Sequence, residues 1–424
     1  MVSLNSIQGF LRIGGDKLLL DGVDIIGLAG ETPTPFYIYS KSVVKKNIEN
    51  LKSILSRVEG EYKIFYAMKA FSDSRILKIV RDLGLGVEVV SIGELRKAFE
   101  VGFTPKDIVY NGIGKTPTLM KALSRVGYAG VNLDSEYEFK LAKDLGMLNS
   151  DYIGVRINVE VRKRILDTSS PTSKFGLEPG KLYKLIDEYN IDRLGLHIHL
   201  GSQISDPKLL RELLKRLTDI INDLTGDYGI NINYLDIGGG IPKDYTWTPI
   251  KTRLKDFDIR FFKPGYTLRE YKDFLKSIRK MVGVEIPIYL EPGRFLVGDS
   301  GMLITRVVGY KERLDGTRWL YIDTGFIHLL SGLLYRWYFP IINISRLNEA
   351  HDTGYRVAGI LCDSDDVFHD YEGEKHGLAR LPYYRYLPSS TDIGDILMFL
   401  HVGAYNYEEV STYNSIEKPP LIFI

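Results

Sequence analysis

Cysteine is almost missing from this chain. Cys362 is the only one in 424 residues, so no disulfide can form within the chain, and a lone thiol suits a reducing cytoplasm. Net charge is nearly missing too, since 55 Lys and Arg stand against 54 Asp and Glu and leave +1. A balance this even gives no long-range attraction to nucleic acid or to an anionic membrane. No apolar run reaches the roughly 18 residues that a membrane-spanning helix needs. The N-terminus shows no basic segment followed by an apolar core and a cleavage site, so the expectation is a cytoplasmic, unsecreted protein. Glutamine is scarce, with only Gln8 and Gln203, while Lys, Glu and Ile are plentiful, a bias that leans toward a heat-adapted source. What is present reads as globular: hydrophobic content is 44% and charged content 26%. The length suits one large or two ordinary domains.

Strand and helix patterns alternate through the middle of the chain. Strand cores fall at 63–67, 86–90, 108–111, 130–133, 153–157, 194–200, 234–237 and 288–291, with helical periodicity between most of them. Alternation of this kind implies a parallel sheet, and about eight units in succession argue for a closed TIM-like (β/α)₈ barrel. After Gly298 the texture changes. Segments 303–310, 319–322, 356–361 and 396–399 are strand-like, punctuated by Gly and Pro without long helices. Short strand patterns before residue 35 have no obvious partner except these. The expectation is therefore α/β: a barrel over 36–296, and an all-β domain built from both chain ends, 1–35 plus 297–424. The aromatic and charged loop 243–267 is long for a barrel connection and reads as a lid or a contact surface.

Barrels place chemistry at the C-terminal ends of their strands. Tyr66-Ala67-Met68-Lys69-Ala70 ends the first strand with a lysine. Such a lysine is usually a solvated charge; desolvated, its amine becomes available for Schiff-base chemistry. His197 and His199 alternate before a Gly-Ser turn. Histidines on a strand are commonly satisfied core groups; these two could suit a metal, though no Cys or third His lies nearby in sequence, or His199 could stack on an aromatic cofactor. Gly238-Gly239-Gly240 follows a strand, either as a flexible loop or as backbone N–H groups closing on a phosphate. Glu291-Pro292-Gly293-Arg294 ends the last strand. Arg294 alone would be a structural ion pair, whereas Glu291 in a barrel mouth could keep a pyridine nitrogen protonated.

These motifs stand in a recognisable order with Ser173-Lys174-Phe175-Gly176, Cys362-Asp363-Ser364-Asp365-Asp366 and Gly403-Ala404-Tyr405. Over nearly its whole length the chain resembles the fold-type III pyridoxal-phosphate decarboxylases. It is most similar to their diaminopimelate branch and more distantly to the ornithine and arginine branches. The resemblance implies pyridoxal 5'-phosphate held as a Schiff base by Lys69, with His199 on the ring face and Glu291 at the ring nitrogen. It implies a phosphate site from Ser202, Gly238, Gly239, Gly240, Gly293, Arg294 and Tyr405. Related racemases put an arginine at the ring nitrogen, so Glu291 favours decarboxylation, with meso-diaminopimelate giving lysine and carbon dioxide as the leading reaction. The resemblance further implies a homodimer in which Cys362 reaches the neighbouring subunit's site and assists protonation, and in which Lys174 and Asp366 pair across the interface. Alone, Cys362 would be an inert hydrophobe and the other two solvated charges.

Three departures bear on the substrate. The resemblance expects an arginine for the substrate's distal carboxylate four residues before Tyr335, where this chain has Ser331; Arg336 or Arg294 could compensate. Asp363 replaces a glutamate and is reminiscent of the diamine-type branches, where an aspartate holds a distal ammonium. Glu88 stands where an aspartate is usual. A sibling decarboxylase of ornithine, lysine, arginine or a modified amino acid is the alternative. A non-catalytic, cofactor-binding regulator is a further one, but such relatives lose the lysine, the ring-nitrogen carboxylate or the cysteine, and this chain keeps Lys69, Glu291 and Cys362.

Overall fold

Eight short strands with apolar interiors close into a parallel barrel: β1 (Tyr62–Ala67), β2 (Gly86–Val89), β3 (Ile108–Tyr110), β4 (Gly130–Leu133), β5 (Ile153–Arg156), β6 (Arg193–His197), β7 (Asn231–Asp236) and β8 (Ile288–Leu290). β8 pairs with β1 and β5 with β6, which completes the ring expected from the alternation. The computed structural model describes residues 4–125, 127–161, 168–254, 258–370 and 381–424. By compactness the chain divides into one unit of Ile48–Pro242 and Gly265–Phe295, and a second of Leu4–Asn47, Lys243–Pro264 and Leu296–Ile424.

The barrel is filled rather than hollow, as parallel barrels of this size are. One ring, Tyr234 on β7, occupies the space that three glycines leave on neighbouring strands. A Cβ on Gly154 or Gly195 would stand 2.3 or 2.2 Å from its atoms, and one on Gly130 would stand 3.0 Å away. Tyr234 stacks on Tyr289 with centroids 4.8 Å apart, and Phe65 meets Tyr289 edge-on at 4.9 Å. The Tyr234 hydroxyl donates to Asn132 Oδ1 at 2.7 Å, and Asn132 Nδ2 donates to Asn111 Oδ1 at 2.7 Å. A polar line therefore climbs from the packed core toward the C-terminal strand ends. Register does the rest: His197 pairs with Asp236, and Asp236 with Tyr289, so the ends of β6, β7 and β8 lie level.

The second unit carries a sheet in the order Ile341–Asn343, Ile396–Phe399, Gly301–Glu312, Arg318–Ile322, Thr353–Ala358, Arg385–Leu387. Phe36–Tyr39, inside the segment 36–296 expected for the barrel, instead pairs antiparallel with Gly301–Glu312 and parallel with Leu421–Phe423. All four of its residues are buried, so it needs neighbours on both edges and both faces, and its continuous apolar run fits that place as well as a barrel. The earlier strands (Leu11–Gly14, Lys17–Leu20, Val23–Asp24) form their own three-stranded sheet. They contribute Leu11, Leu18 and Leu20 to a core shared with Met302, Ile304 and Met398. A short helix, Ile25–Glu31, went unrecognised in the sequence; Asp24 caps it by accepting from the N–H groups of Ile26 and Gly27.

Lys243–Pro264, expected to be a lid or a contact surface, belongs to the second unit; residues 255–257 lie outside the described residues. Tyr245 meets Trp337, Phe339 and His401 edge-on, and Phe261 and Phe262 both meet Trp337. Lys243 is fully buried between Asp299 Oδ1 at 3.0 Å and Asn47 Oδ1 at 2.7 Å. Buried aromatics and a paired buried cation anchor this segment in its unit's interior.

Candidate active site

Lys69 sits in the single turn Met68–Ala70 that ends β1. Met68, Ala70 and Phe71 are fully buried, and Tyr66 donates to the Phe71 carbonyl at 2.8 Å, so the turn is pinned while the lysine side chain stays 39% exposed. Its Nζ lies 3.3 Å from Glu88 on β2, a carboxylate 1% exposed. Burial raises the Glu88 carboxyl above its ordinary range, and the Lys69 charge opposes that. Asn111 Nδ2 bridges the floor, donating to Glu88 Oε1 at 3.4 Å and closely to Glu291 Oε1.

Glu291 follows β8 and is 4% exposed. His197 Nε2 stands 3.4 Å from its second oxygen, at ion-pair distance but without hydrogen-bond alignment. Burial would raise Glu291, yet His197, Asp236 and Lys69 together hold it well below the usual carboxylate range. Asp236 goes the other way: burial and then the Glu291 charge push its carboxyl well above that range. Two carboxyl groups so close share one proton, and here Asp236 holds it while Glu291 keeps its charge.

The two histidines, alike in sequence, separate in space. His197 is the last residue of β6 and faces Glu291, whereas His199 lies beyond the strand and accepts from the Gly239 N–H through Nδ1 at 3.1 Å. That bond leaves its proton on Nε2. Burial, followed by the charges of Lys69 and Arg156, holds His199 well below its ordinary value, so its ring is neutral at pH 7. The Gly238–Gly240 loop is glycine for a stricter reason than freedom to meet a phosphate. Cβ atoms there would stand 2.6 Å from His199 Nδ1, 2.3 Å from the Glu291 carbonyl and 2.5 Å from the Gly201 carbonyl. The loop is wedged between the ends of β6 and β8. Gly293 does the same for the β1 turn, where a Cβ would stand 2.9 Å from Ala70 Cβ, and Arg294 Nε donates to Ser202 Oγ at 2.8 Å.

One strand-end cluster in the barrel unit thus gathers Lys69, Glu88, His197, His199, Ser202, Gly238, Gly239, Gly240, Glu291, Gly293 and Arg294. Sequence reading missed Asn111, Asn132, Asp236 and Arg156. Their signal was a polar residue inside or just after an otherwise apolar strand. Arg156, 8% exposed, ends β5 with its guanidinium 4.2 Å over the Phe175 ring and 3.9 Å from Asp134.

The remaining expected residues lie on the second unit, where three segments are tied together. Ser331, in the short helix Leu330–Leu334, donates to Glu409 Oε2 at 2.7 Å, and its carbonyl accepts from Tyr335 N at 3.1 Å. Tyr405, at φ +72°, starts the turn Asn406–Glu409, and its carbonyl accepts from the N–H groups of Glu408 and Glu409. The exposed Cys362 donates its N–H to Asn414 Oδ1 at 3.1 Å, and Asp363 Oδ1 accepts from Asp365 N at 2.9 Å. Ser411 N reaches the Ile327 carbonyl at 3.1 Å, and the Phe326 and Tyr413 rings stack at 6.3 Å.

Asp366, expected from the resemblance to pair with Lys174 across a homodimer interface, has backbone partners within its own chain. It is 2% exposed and accepts from Phe326 N at 2.7 Å and Leu361 N at 2.8 Å, so its carboxylate staples its own loop. Lys174 is exposed, with Nζ 5.0 Å over the Phe175 ring. Burial pushes Asp366 up to about 6. A raised carboxyl favours the folded chain below the unfolded value near 4, and that contribution is lost as pH rises through about 6. Stability should therefore fall by on the order of 2–3 kcal/mol from this group between about pH 4 and pH 7. Denaturant titrations of wild type and Asp366→Asn across that window measure it, and parallel stability curves would refute the assignment.

The barrel cluster can accept a cationic aromatic ring with an aldehyde beside Lys69. Its floor holds one persistent negative charge at Glu291, and His197, buried to 1% exposure, has two ring nitrogens without a hydrogen bond among the described residues. His197, Asp236 and Glu291 also bring donor atoms within 4.8 Å of one another, a set that on distance alone would take a metal ion. Comparison with known proteins separates these uses. Residues 42–298 match the family described as pyridoxal-dependent decarboxylase, pyridoxal binding domain. The chain is 31% identical over 434 residues to the diaminopimelate decarboxylase of Methanocaldococcus jannaschii, covering 97% of this chain and 91% of that one. It is 30% identical to the Staphylococcus aureus diaminopimelate decarboxylase, covering 96% and 92%. The crystal structure of the M. jannaschii enzyme in complex with L-lysine superposes with a TM-score of 0.81 at 28% identity, covering 98% of this chain and 92% of that one.

Proposed function

The chain belongs to the pyridoxal-dependent decarboxylases, and on that premise we propose that it releases carbon dioxide from an α-amino acid whose tail ends in a second ionisable group, with meso-diaminopimelate to lysine as the first candidate reaction. The observation that carries this reading is the charge held at Glu291, one strand away from the half-exposed amine of Lys69. Bound between them, pyridoxal phosphate supplies an electron sink for the pair left behind when the carboxylate departs.

Each residue then has a task. Lys69 would hold the cofactor covalently through Nζ. Glu291 would keep a proton on the ring nitrogen; Asn111 holds one of its oxygens, His197 stands at ion-pair distance from the other, and Asp236 leaves it the charge. His199, neutral and oriented by Gly239, would help to hold the cofactor's ring. Ser202, Arg294, Gly238, Gly239, Gly240, Gly293 and Tyr405 hold the phosphate, with the Arg294–Ser202 bond setting two donors side by side. Ser331, Tyr335 and Asp363 meet the substrate's tail. Cys362, exposed and held by its backbone at Asn414, serves the partner subunit's site as a proton donor in a homodimer.

The test is carbon dioxide release by the purified holoenzyme from meso-diaminopimelate, lysine, ornithine and arginine. Turnover of meso-diaminopimelate supports the leading reaction. Turnover of another acid alone overturns it in favour of a sibling decarboxylase, and no release from any acid overturns the decarboxylase reading.

A further inference from the structure

We propose that Glu409, held in place by Ser331, is a specificity-determining residue that selects substrates by a cationic group at the far end of the tail. This rests on the reading above, in which Ser331 meets that tail. Ser331 is 2% exposed and spends its one hydroxyl proton on Glu409 Oε2, at 2.7 Å. A serine can lend a carboxylate only that single donor, so most of the acceptor capacity of Glu409, two oxygens with about four lone-pair sites, remains for another donor. An ammonium or guanidinium is the group that capacity fits, through a charge-assisted bond.

The local frame ties Glu409 to the site independently of Ser331. The turn Asn406–Glu409 begins at Tyr405, whose carbonyl accepts from Glu409 N at 3.0 Å, so the residue assigned to the phosphate and the residue assigned to the tail are joined through one turn. The two arginines that could answer a distal carboxylate have partners of their own. Arg336 turns its Nε toward Asp370 Oδ1 at 4.0 Å, and Arg294 donates to Ser202 in the barrel unit. The charge that Ser331 touches is therefore negative, from Glu409. A tail ending in a carboxylate alone meets repulsion there, and one ending in an ammonium meets a partner.

The measurement is kcat/KM of the holoenzyme for L-lysine, L-ornithine, meso-diaminopimelate and 2-aminopimelate, whose tail ends in a carboxylate without an ammonium. Wild type should disfavour 2-aminopimelate. Glu409→Gln, which keeps the shape and the Ser331 contact, should lower kcat/KM for the ammonium-bearing tails by roughly 10- to 10²-fold, carried mainly by KM. It should leave 2-aminopimelate unchanged or improved, and the absorption of the bound cofactor unaltered. Ser331→Ala should shift the same ratio in the same direction by a smaller factor. An unchanged ratio in Glu409→Gln with an intact cofactor spectrum overturns the proposal. If no acid is decarboxylated at all, the reading of the function fails instead, and calorimetric titration of the holoenzyme with L-lysine still decides the matter: weaker binding by Glu409→Gln upholds the role of Glu409, and equal binding ends it.

Discussion

Lys69→Ala should lose turnover by on the order of 10⁴-fold or more, because the nucleophile that holds the cofactor is removed with no substitute at that position. The protein should still fold. The lysine side chain is 39% exposed, and the turn that carries it is anchored by Met68, Ala70, Phe71 and the Tyr66 hydroxyl rather than by the amine. Truncation removes the cation nearest Glu88, and that buried carboxyl can take a proton instead, which limits the cost. Borohydride reduction followed by peptide mass spectrometry checks this directly. Wild type should carry the reduced cofactor on the peptide containing Lys69, and the variant should carry none. A variant still labelled on another lysine, with turnover intact, would remove Lys69 from its place.

The second large effect is expected at Glu291→Gln, which keeps the size and the contact with Asn111 but deletes the charge. Loss of one preorganised electrostatic partner typically costs on the order of 10²–10³-fold in kcat. The cofactor should still be bound through Lys69, so the loss should appear in kcat at full cofactor content. The surroundings sharpen the test. Asp236 holds the shared proton because Glu291 is charged, so an uncharged residue at 291 relieves Asp236 and lets it ionise closer to its ordinary range. Glu291 itself, held well below that range, stays charged as pH falls through the range of ordinary carboxylates, so it should contribute no acidic limb to the wild-type pH–rate profile. Its stability contribution is likewise present above the unfolded value and lost only below that range. Wild-type kcat in the variant would refute the assignment.

Much of this was legible locally. Strand and helix periods repeat every few residues, so the barrel and its eight strand ends could be read off the chain, and with them Lys69, His199, the glycine triad and Glu291. Residues whose meaning is a distant partner were not legible. Phe36–Tyr39 is a buried strand by composition, but whether it joins the barrel or the other sheet depends on Gly301–Glu312 and Leu421–Phe423. Asn111 and Asn132 look like polar interruptions until the line from Tyr234 to Glu291 links four strands of the barrel. Asp366 reads as a solvated charge, although two backbone N–H groups in its own unit claim it.

The amino-acid sequence by itself determined the class of architecture, the order of strand-end chemistry and the lysine at its centre, because each is written in neighbouring residues. Only the tertiary structure decided which carboxyl keeps its charge, why the glycines are glycines, and that Ser331 answers to Glu409. Those are effects of burial and of distances of a few ångströms between groups as many as 180 residues apart, as for Asn111 and Glu291, and a local pattern holds no record of them.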